Sequence, residues 1–171
     1  MPYVNLHMHS EYSVLDGLCG VPEVLDRAVA LNMEALAITD HGTVAGVVEF
    51  YQAAQARGIK PILGMEGYLV DDVAMKDRNI FHIVLLAQTT EGYRNLLRLS
   101  SLGFDNFYYS PRLDWRMLQA HREGLYALTG CLSGRLSRAI QRGDDPWPWV
   151  QQFQDTFGDH WAVEIHNHGL P

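Results

Sequence analysis

The chain has 171 residues, 47% of them hydrophobic, a formal net charge of −7 and two cysteines. That supplies apolar material for about one domain, or part of a larger protein, without disulfide staples. The longest apolar run, residues 83–87, falls far short of the roughly 20 residues that a membrane span needs, and an acidic surface lacks the basic stripe of a general duplex binder.

Cys19 and Cys131 form no CxxC pair, which fits a reducing, cytoplasmic setting better than a disulfide framework. Met1-Pro2-Tyr3 leads straight toward a strand rather than through a charged leader, so no signal peptide is expected. Bound divalent cations would cancel part of the acidity locally.

Residues 3–7 read as a first strand running into His7-Met8-His9. Pro22 then stands at a first helical position, and Val24, Leu25, Ala28, Val29 and Leu31 follow at helical spacing. Residues 35–38 predict a second strand ending in Thr39-Asp40-His41-Gly42, before a helix over about 44–57 that Gly58 stops. A third strand over 61–65 leads into Glu66-Gly67, and residues 70–79 form a charged loop. Residues 83–87 and 125–129 predict a fourth and a fifth strand, the latter entering Gly130-Cys131, and 161–165 a sixth. Helices over 91–101, 114–120, 136–142 and 147–157 fill the intervals. Alternating strands and helices predict an α/β fold of βα units on a parallel sheet. The strands are fewer than a closed barrel needs, and the chain stops at Pro171 directly after one of them, so it reads as cut.

Chemistry gathers at the strand ends. Alternate residues of an extended chain point the same way, so His7 and His9 can reach one metal, although an isolated pair reads equally as two surface histidines. Taken singly, Glu66 is a solvated turn acid, Cys131 a small buried hydrophobe, and Asp16 in Leu15-Asp16-Gly17 an Asx-turn residue. Taken together, four strand ends carry ligand-type residues at the C-terminal edge, where α/β folds hold their sites. His82 precedes its apolar run, which puts it at the wrong edge of a parallel sheet. His121 and His160 read as peripheral. His166 and His168 repeat the alternate spacing, but acidic partners there are thin and they rank low as ligands. Mixed imidazole, carboxylate and thiol ligation suits Zn²⁺, Mn²⁺ or Fe rather than an all-oxygen Mg²⁺ or Ca²⁺ cage. The ligands outnumber what one tetrahedral zinc takes, which implies two or three ions. Clustered ions activate water and clamp phosphoryl oxygens, so phosphate-ester chemistry is the expected use. No Gly-rich phosphate loop or nucleophile elbow competes.

The set His7-x-His9, Leu15-Asp16-Gly17, Thr39-Asp40-His41-Gly42, Gly64-Met65-Glu66, His82 and Gly130-Cys131-Leu132-Ser133-Gly134 resembles the polymerase-and-histidinol-phosphatase (PHP) superfamily. Glu49-Phe50-Tyr51, Lys60-Pro61-Ile62-Leu63-Gly64, Pro111-Arg112-Leu113-Asp114 and Asn167-His168-Gly169-Leu170-Pro171 narrow it to the PHP domains of bacterial DNA polymerase III alpha subunits. The resemblance implies a distorted seven-stranded β/α barrel, here truncated before its last strand, with a trinuclear site at the C-terminal edge. It puts His7, His9, Asp16, His41, Glu66, His82 and Cys131 at metal-ligand positions. Asp40 stands at a catalytic position that orients ligands or substrate, and Arg112 at one that meets a substrate phosphate or else a surface salt bridge. The family's final Asp-x-His pair falls beyond Pro171, leaving the third subsite incomplete, and the polymerase aspartates are absent. The implied activity is a metal-dependent 3′–5′ exonuclease on DNA ends, with the rest of the polymerase chain and replisome subunits as partners. An open sheet edge predicts self-association of this piece. The rival readings are a metal-bound brace without catalysis and a stand-alone phosphatase for a small phosphomonoester such as histidinol phosphate.

Overall fold

The computed structural model describes residues 3–167 and 169. Among them, β1 (Ala35–Ile38), β2 (Lys60–Leu69), β3 (Phe81–Ala87), β4 (Arg112–Leu113), β5 (Leu125–Leu128) and β6 (Trp161–Ala162) form a six-stranded sheet. The helices are α1 (Val21–Ala30), α2 (Val47–Ala56), α3 (Thr90–Asp105), α4 (Trp115–Ala120), α5 (Arg135–Arg142) and α6 (Trp147–Phe157). Their starts follow local chemistry. Pro22 opens α1, while the Thr89 and Asp114 side chains accept from Gly92 N and Met117 N to cap α3 and α4. Buried residues recur at helical spacing, such as Val21, Leu25 and Ala28 on α1 or Leu96, Leu99 and Gly103 on α3.

The sheet runs β1-β2-β3-β5-β6, with β4 on the flank of β2. β2 pairs in parallel with β1 and β4, and β5 with β6, whereas β3 is antiparallel to both β2 and β5. One strand therefore runs against the other five, and the all-parallel expectation fails there. The reversal answers the difficulty over His82. The N-terminal end of β3 lies at the same edge as the C-terminal ends of its neighbours, and β3 starts at Phe81, so His82 stands at the shared rim.

Three further expectations change. The predicted seven-stranded barrel gives way, among the described residues, to the six-stranded sheet. The third strand continues to Leu69 because its ladder with β3 holds through Leu69↔Phe81, which places Glu66 inside a strand instead of in a turn. The first strand reduces to a single parallel bridge, Asn5↔Leu36. Asn5 O and Met8 O accept from Ala37 N and Thr39 N, so three steps on one side answer two on the other. Such an extra residue breaks a ladder, and Thr39 Oγ1 accepts the Met8 N–H instead.

Side-chain alternation then divides the sheet into faces. Met65, Ile83 and Leu85 face α3, α4 and α6 in the main core with Leu96, Leu99, Leu118 and Phe153. α1 and α2 pack Leu25, Phe50 and Ala54 against Leu36 and Ile38. Ala37, Val84, Leu86 and Leu128 point the other way and form a small apolar floor. Leu85 is wholly buried, so Leu85→Ala would cost about 2–5 kcal/mol. No helix among the described residues is long and apolar enough to cross a membrane.

Candidate metal centre

The residues that share the parity of the floor reach the rim above it. Along β2, Glu66 pairs with Val84 and Tyr68 with His82, so these polar side chains emerge on the floor's face. The stretch after β1 carries His41 to a bridge with Glu66. Gly130 has a φ of +78°, and a Cβ there would sit 2.7 Å from His82 O. Only glycine lets the chain turn this closely past His82 and bring Cys131 alongside it.

Glu66 is the hub. Its side chain is 1% exposed, with His7 Nε2 at 3.1 Å and His82 Nδ1 at 3.0 Å from Oε1. His41 Nδ1 lies 2.6 Å and His9 Nε2 3.7 Å from Oε2. These atoms are near without being aligned as donor and acceptor. Both Glu66 oxygens, His7 Nε2, His9 Nδ1 and His41 Nδ1 are buried with no hydrogen-bond partner. Buried polar atoms are nearly always satisfied, so an unsatisfied carboxylate faced by the equally unsatisfied His7 Nε2 and His41 Nδ1 fits an ion. His7, His9 and Glu66 form one three-donor group and His41, Glu66 and His82 a second, with donors within 4.8 Å of one another. Glu66 belongs to both, as a bridging carboxylate would. Cys131 Sγ lies 3.5 Å from His82 Nδ1 and accepts from Ser133 N. Asp16, half exposed, reaches His41 Nε2 at 3.0 Å.

The same contacts set the electrostatics of the metal-free cluster. Burial alone would raise the Glu66 carboxyl, yet the imidazoles of His41, His7 and His82 hold it well below the usual carboxylate range. Burial lowers His7, but Glu164 and Glu66 outweigh it and push the group up to about 10. His82 rises to about 9 because Cys131 and Glu66 overcome burial in the same way. The Cys131 thiol moves down despite burial, through His82 and the Ser133 N–H. His9, stacked on His41 at 4.0 Å, is lowered by burial and by that neighbour.

Asp40 and Arg112 lie outside these donor groups, each held by its own hydrogen bonds. Asp40 is 1% exposed and accepts from Ser10 N, Ser10 Oγ and Ser13 Oγ. It thereby fixes the loop between His9 and Asp16 without entering the cluster. Arg112 is also buried, and its guanidinium donates to the carbonyls of Asn106, Met75 and Val73, pinning the 70–79 loop. His121 and His160 stay outside the cluster groups, and His168 lies outside the described residues.

Two residues escaped the sequence reading. Glu164, nine-tenths buried, meets His7 Nδ1 at 2.7 Å and also contacts His166 Nε2, so the supposedly thin acidic company of His166 is in fact this carboxylate. Tyr68 lies two residues after Glu66 on the same face and stacks on His41. Alternate spacing was the signal for both: Glu66 to Tyr68 along β2, and Glu164 to His166 just past β6.

A cleft of about 660 Å³ opens beside the cluster, lined by Tyr12, Asp16, His41, Tyr68, His82 and Tyr109 among others. A larger groove of about 810 Å³ runs between α2 and the start of α3, but no His, Cys, Asp or Glu lines it, so the smaller cleft is the chemical one.

A sequence profile described as the PHP domain matches residues 5–168. Proteins named DNA polymerase III subunit alpha are similar over nearly the whole chain. The one from Deinococcus radiodurans is 38% identical over 99% of the chain and the one from Thermus aquaticus 38% over 100%. The chain spans only 14% and 15% of those relatives' lengths. A two-domain protein from Bacteroides vulgatus, described as containing a predicted PHP-like metal-dependent phosphoesterase, has the same fold at a TM-score of 0.52 and 16% identity. That match covers 89% of this chain and 40% of the other.

Proposed function

The chain belongs to the PHP domain family, and on that footing we propose that it carries a two- or three-ion phosphodiesterase centre within a replicative DNA polymerase. The substrate of that reading is a DNA 3′ end, removed by 3′–5′ exonuclease action in proofreading, and the setting is the bacterial cytoplasm beside replisome subunits. The observation that carries it is Glu66, a buried acid ringed by four imidazoles with neither oxygen satisfied.

Zn²⁺ or Mn²⁺, with Fe as the other transition metal suited to these donors, is the proposed cofactor. Bound there, such ions supply Lewis acidity that lowers the pKa of water and neutralises charge developing on phosphate. His7, His9 and Glu66 would hold one ion and His41, Glu66 and His82 another, with Asp16 and Cys131 as neighbouring donors. Burial and the nearby Glu66 and Asp16 push the Tyr68 phenol up to about 12, so its O–H stays intact and can donate to a phosphoryl oxygen in the cleft. Asp40 keeps the loop that carries His9 and Asp16 in register.

The test is release of nucleotides from 5′-labelled single-stranded DNA by the 171-residue chain with Zn²⁺ or Mn²⁺. Metal-dependent shortening from the 3′ end that vanishes in Glu66→Gln supports the proposal. Filled metal sites without nucleotide release would instead favour the bracing role.

A further inference from the structure

His7 and His41 each have both ring nitrogens at carboxylates, but the outer acid of His41 is the half-exposed Asp16, whereas that of His7 is the nine-tenths buried Glu164. On His7, Nε2 faces Glu66 in the cluster, and Nδ1 faces Glu164 at 2.7 Å on the far side. A neutral imidazole carries one N–H and one lone pair, and the partner at one nitrogen decides which sits at the other. An ionised carboxylate only accepts, so Glu164 requires the proton on Nδ1. The lone pair is then left on Nε2, the nitrogen that is buried without a hydrogen-bond partner.

We propose that Glu164 is the positioning residue of the metal centre, locking the tautomer and ring orientation of His7 so that Nε2 is presented to the ion shared with His9 and Glu66. This rests on the metal-site reading above.

The carboxylate is built for the task. Its backbone N–H donates to Thr129 Oγ1 at 3.0 Å, and Thr129 N in turn donates to Ala162 O, which ties the end of β6 to the end of β5 just before Cys131. His166 Nε2 contacts the same oxygen that His7 meets, so the carboxylate is gripped from both sides. The second oxygen, Oε2, is buried without a hydrogen-bond partner. That leaves a competing assignment, in which Glu164, His7 and His166 hold an ion of their own. His7 would then have to ligate through Nδ1 as well as Nε2, which demands an imidazolate. The hydrogen-bonded tautomer needs no such extra deprotonation and is the better chemistry. A ligand's outer carboxylate matters because coordination tolerates only about 0.5 Å of misplacement, and its removal typically weakens binding about 10–100-fold.

The experiment uses the 171-residue chain and zinc alone, with a chelator competition for affinity, elemental analysis for stoichiometry and ¹⁵N-histidine NMR for the tautomer. In zinc-loaded wild type, His7 should show a protonated Nδ1 with a slowly exchanging hydrogen. Glu164→Gln should bind zinc about 10–100-fold more weakly, lose that slow exchange, and still take up the same number of ions at saturation. One ion fewer at saturation would make Glu164 a ligand and overturn the proposal, as would unchanged affinity with an unchanged tautomer. Should the variant fail to fold, wild type still decides, since an unprotonated Nδ1 on zinc-loaded His7 refutes the lock. No zinc uptake by wild type would sink both this inference and the metal reading, whereas uptake with affinity insensitive to residue 164 sinks this one alone.

Discussion

Asp40, just past the end of β1, and Glu66, inside the adjoining β2, are both wholly buried acids, and they have opposite surroundings. Around Asp40, two serines supply three aligned donors, and the carboxylate is satisfied. Around Glu66, four imidazole nitrogens crowd both oxygens and none completes a hydrogen bond. An acid satisfied by the chain itself belongs to the scaffold. An acid left unsatisfied among potential ligands fits a metal-binding carboxylate.

The widest separation between the two regions comes from substitution. Asp40→Ala strands two buried hydroxyls and an N–H, and should cost about 3 kcal/mol of metal-free stability in denaturant unfolding. Glu66→Gln keeps the volume, and its neighbouring imidazoles can shed protons instead of remaining buried charges. It should cost only about 1 kcal/mol without metal yet lower zinc affinity by at least about 100-fold. If Glu66→Gln destabilises the metal-free chain as much as Asp40→Ala does while zinc affinity holds, the distinction collapses.

Acidity sharpens the same contrast. In the metal-free chain His7 and His82 are raised from 6.5 to about 10 and about 9. Their stabilising contribution is therefore fully present below pH 6.5 and is lost as pH climbs toward those values. Glu66 is depressed, so its contribution is present above about pH 4.5 and is lost as pH falls further. Metal ligands must be deprotonated, so zinc has to displace the histidine protons. The melting-temperature gain from zinc should widen from pH 6 to pH 9 while the metal-free value falls. A gain that is flat with pH would show that the histidines are not the groups zinc displaces protons from.

Much of this was legible in the residues. All six predicted helices exist, because apolar spacing, Pro22 and Gly58 mark them locally. The direction of β3 was not legible, since antiparallel pairing is decided by the sheet and not by the strand's own composition. That one hidden reversal made His82 look misplaced. Arg112 was read for its charge, while its three carbonyl partners lie on segments six to 39 residues away in sequence. Glu164 was overlooked because its role depends on a contact with His7, 157 residues distant.

A smaller effect concerns the two thiols. Cys131 is half-buried beside His82, and Cys19 is exposed away from the cluster. A coordinated thiolate is shielded, so alkylation of Cys131 should be slow with zinc present and accelerate after chelation, with Cys19 unchanged. Equal Cys131 rates in both states would return it to the role of a packing residue.

The central claim is that Glu66 bridges bound ions. Anomalous diffraction from crystals of the chain grown with Zn²⁺, recorded on either side of the zinc edge, tests it most directly. The account predicts at least two peaks flanking Glu66, one near His7 and His9 and one near His41 and His82, at about 2.0–2.2 Å from the ligating nitrogens and oxygens. Zinc peaks elsewhere on the protein, with none at Glu66, would contradict it.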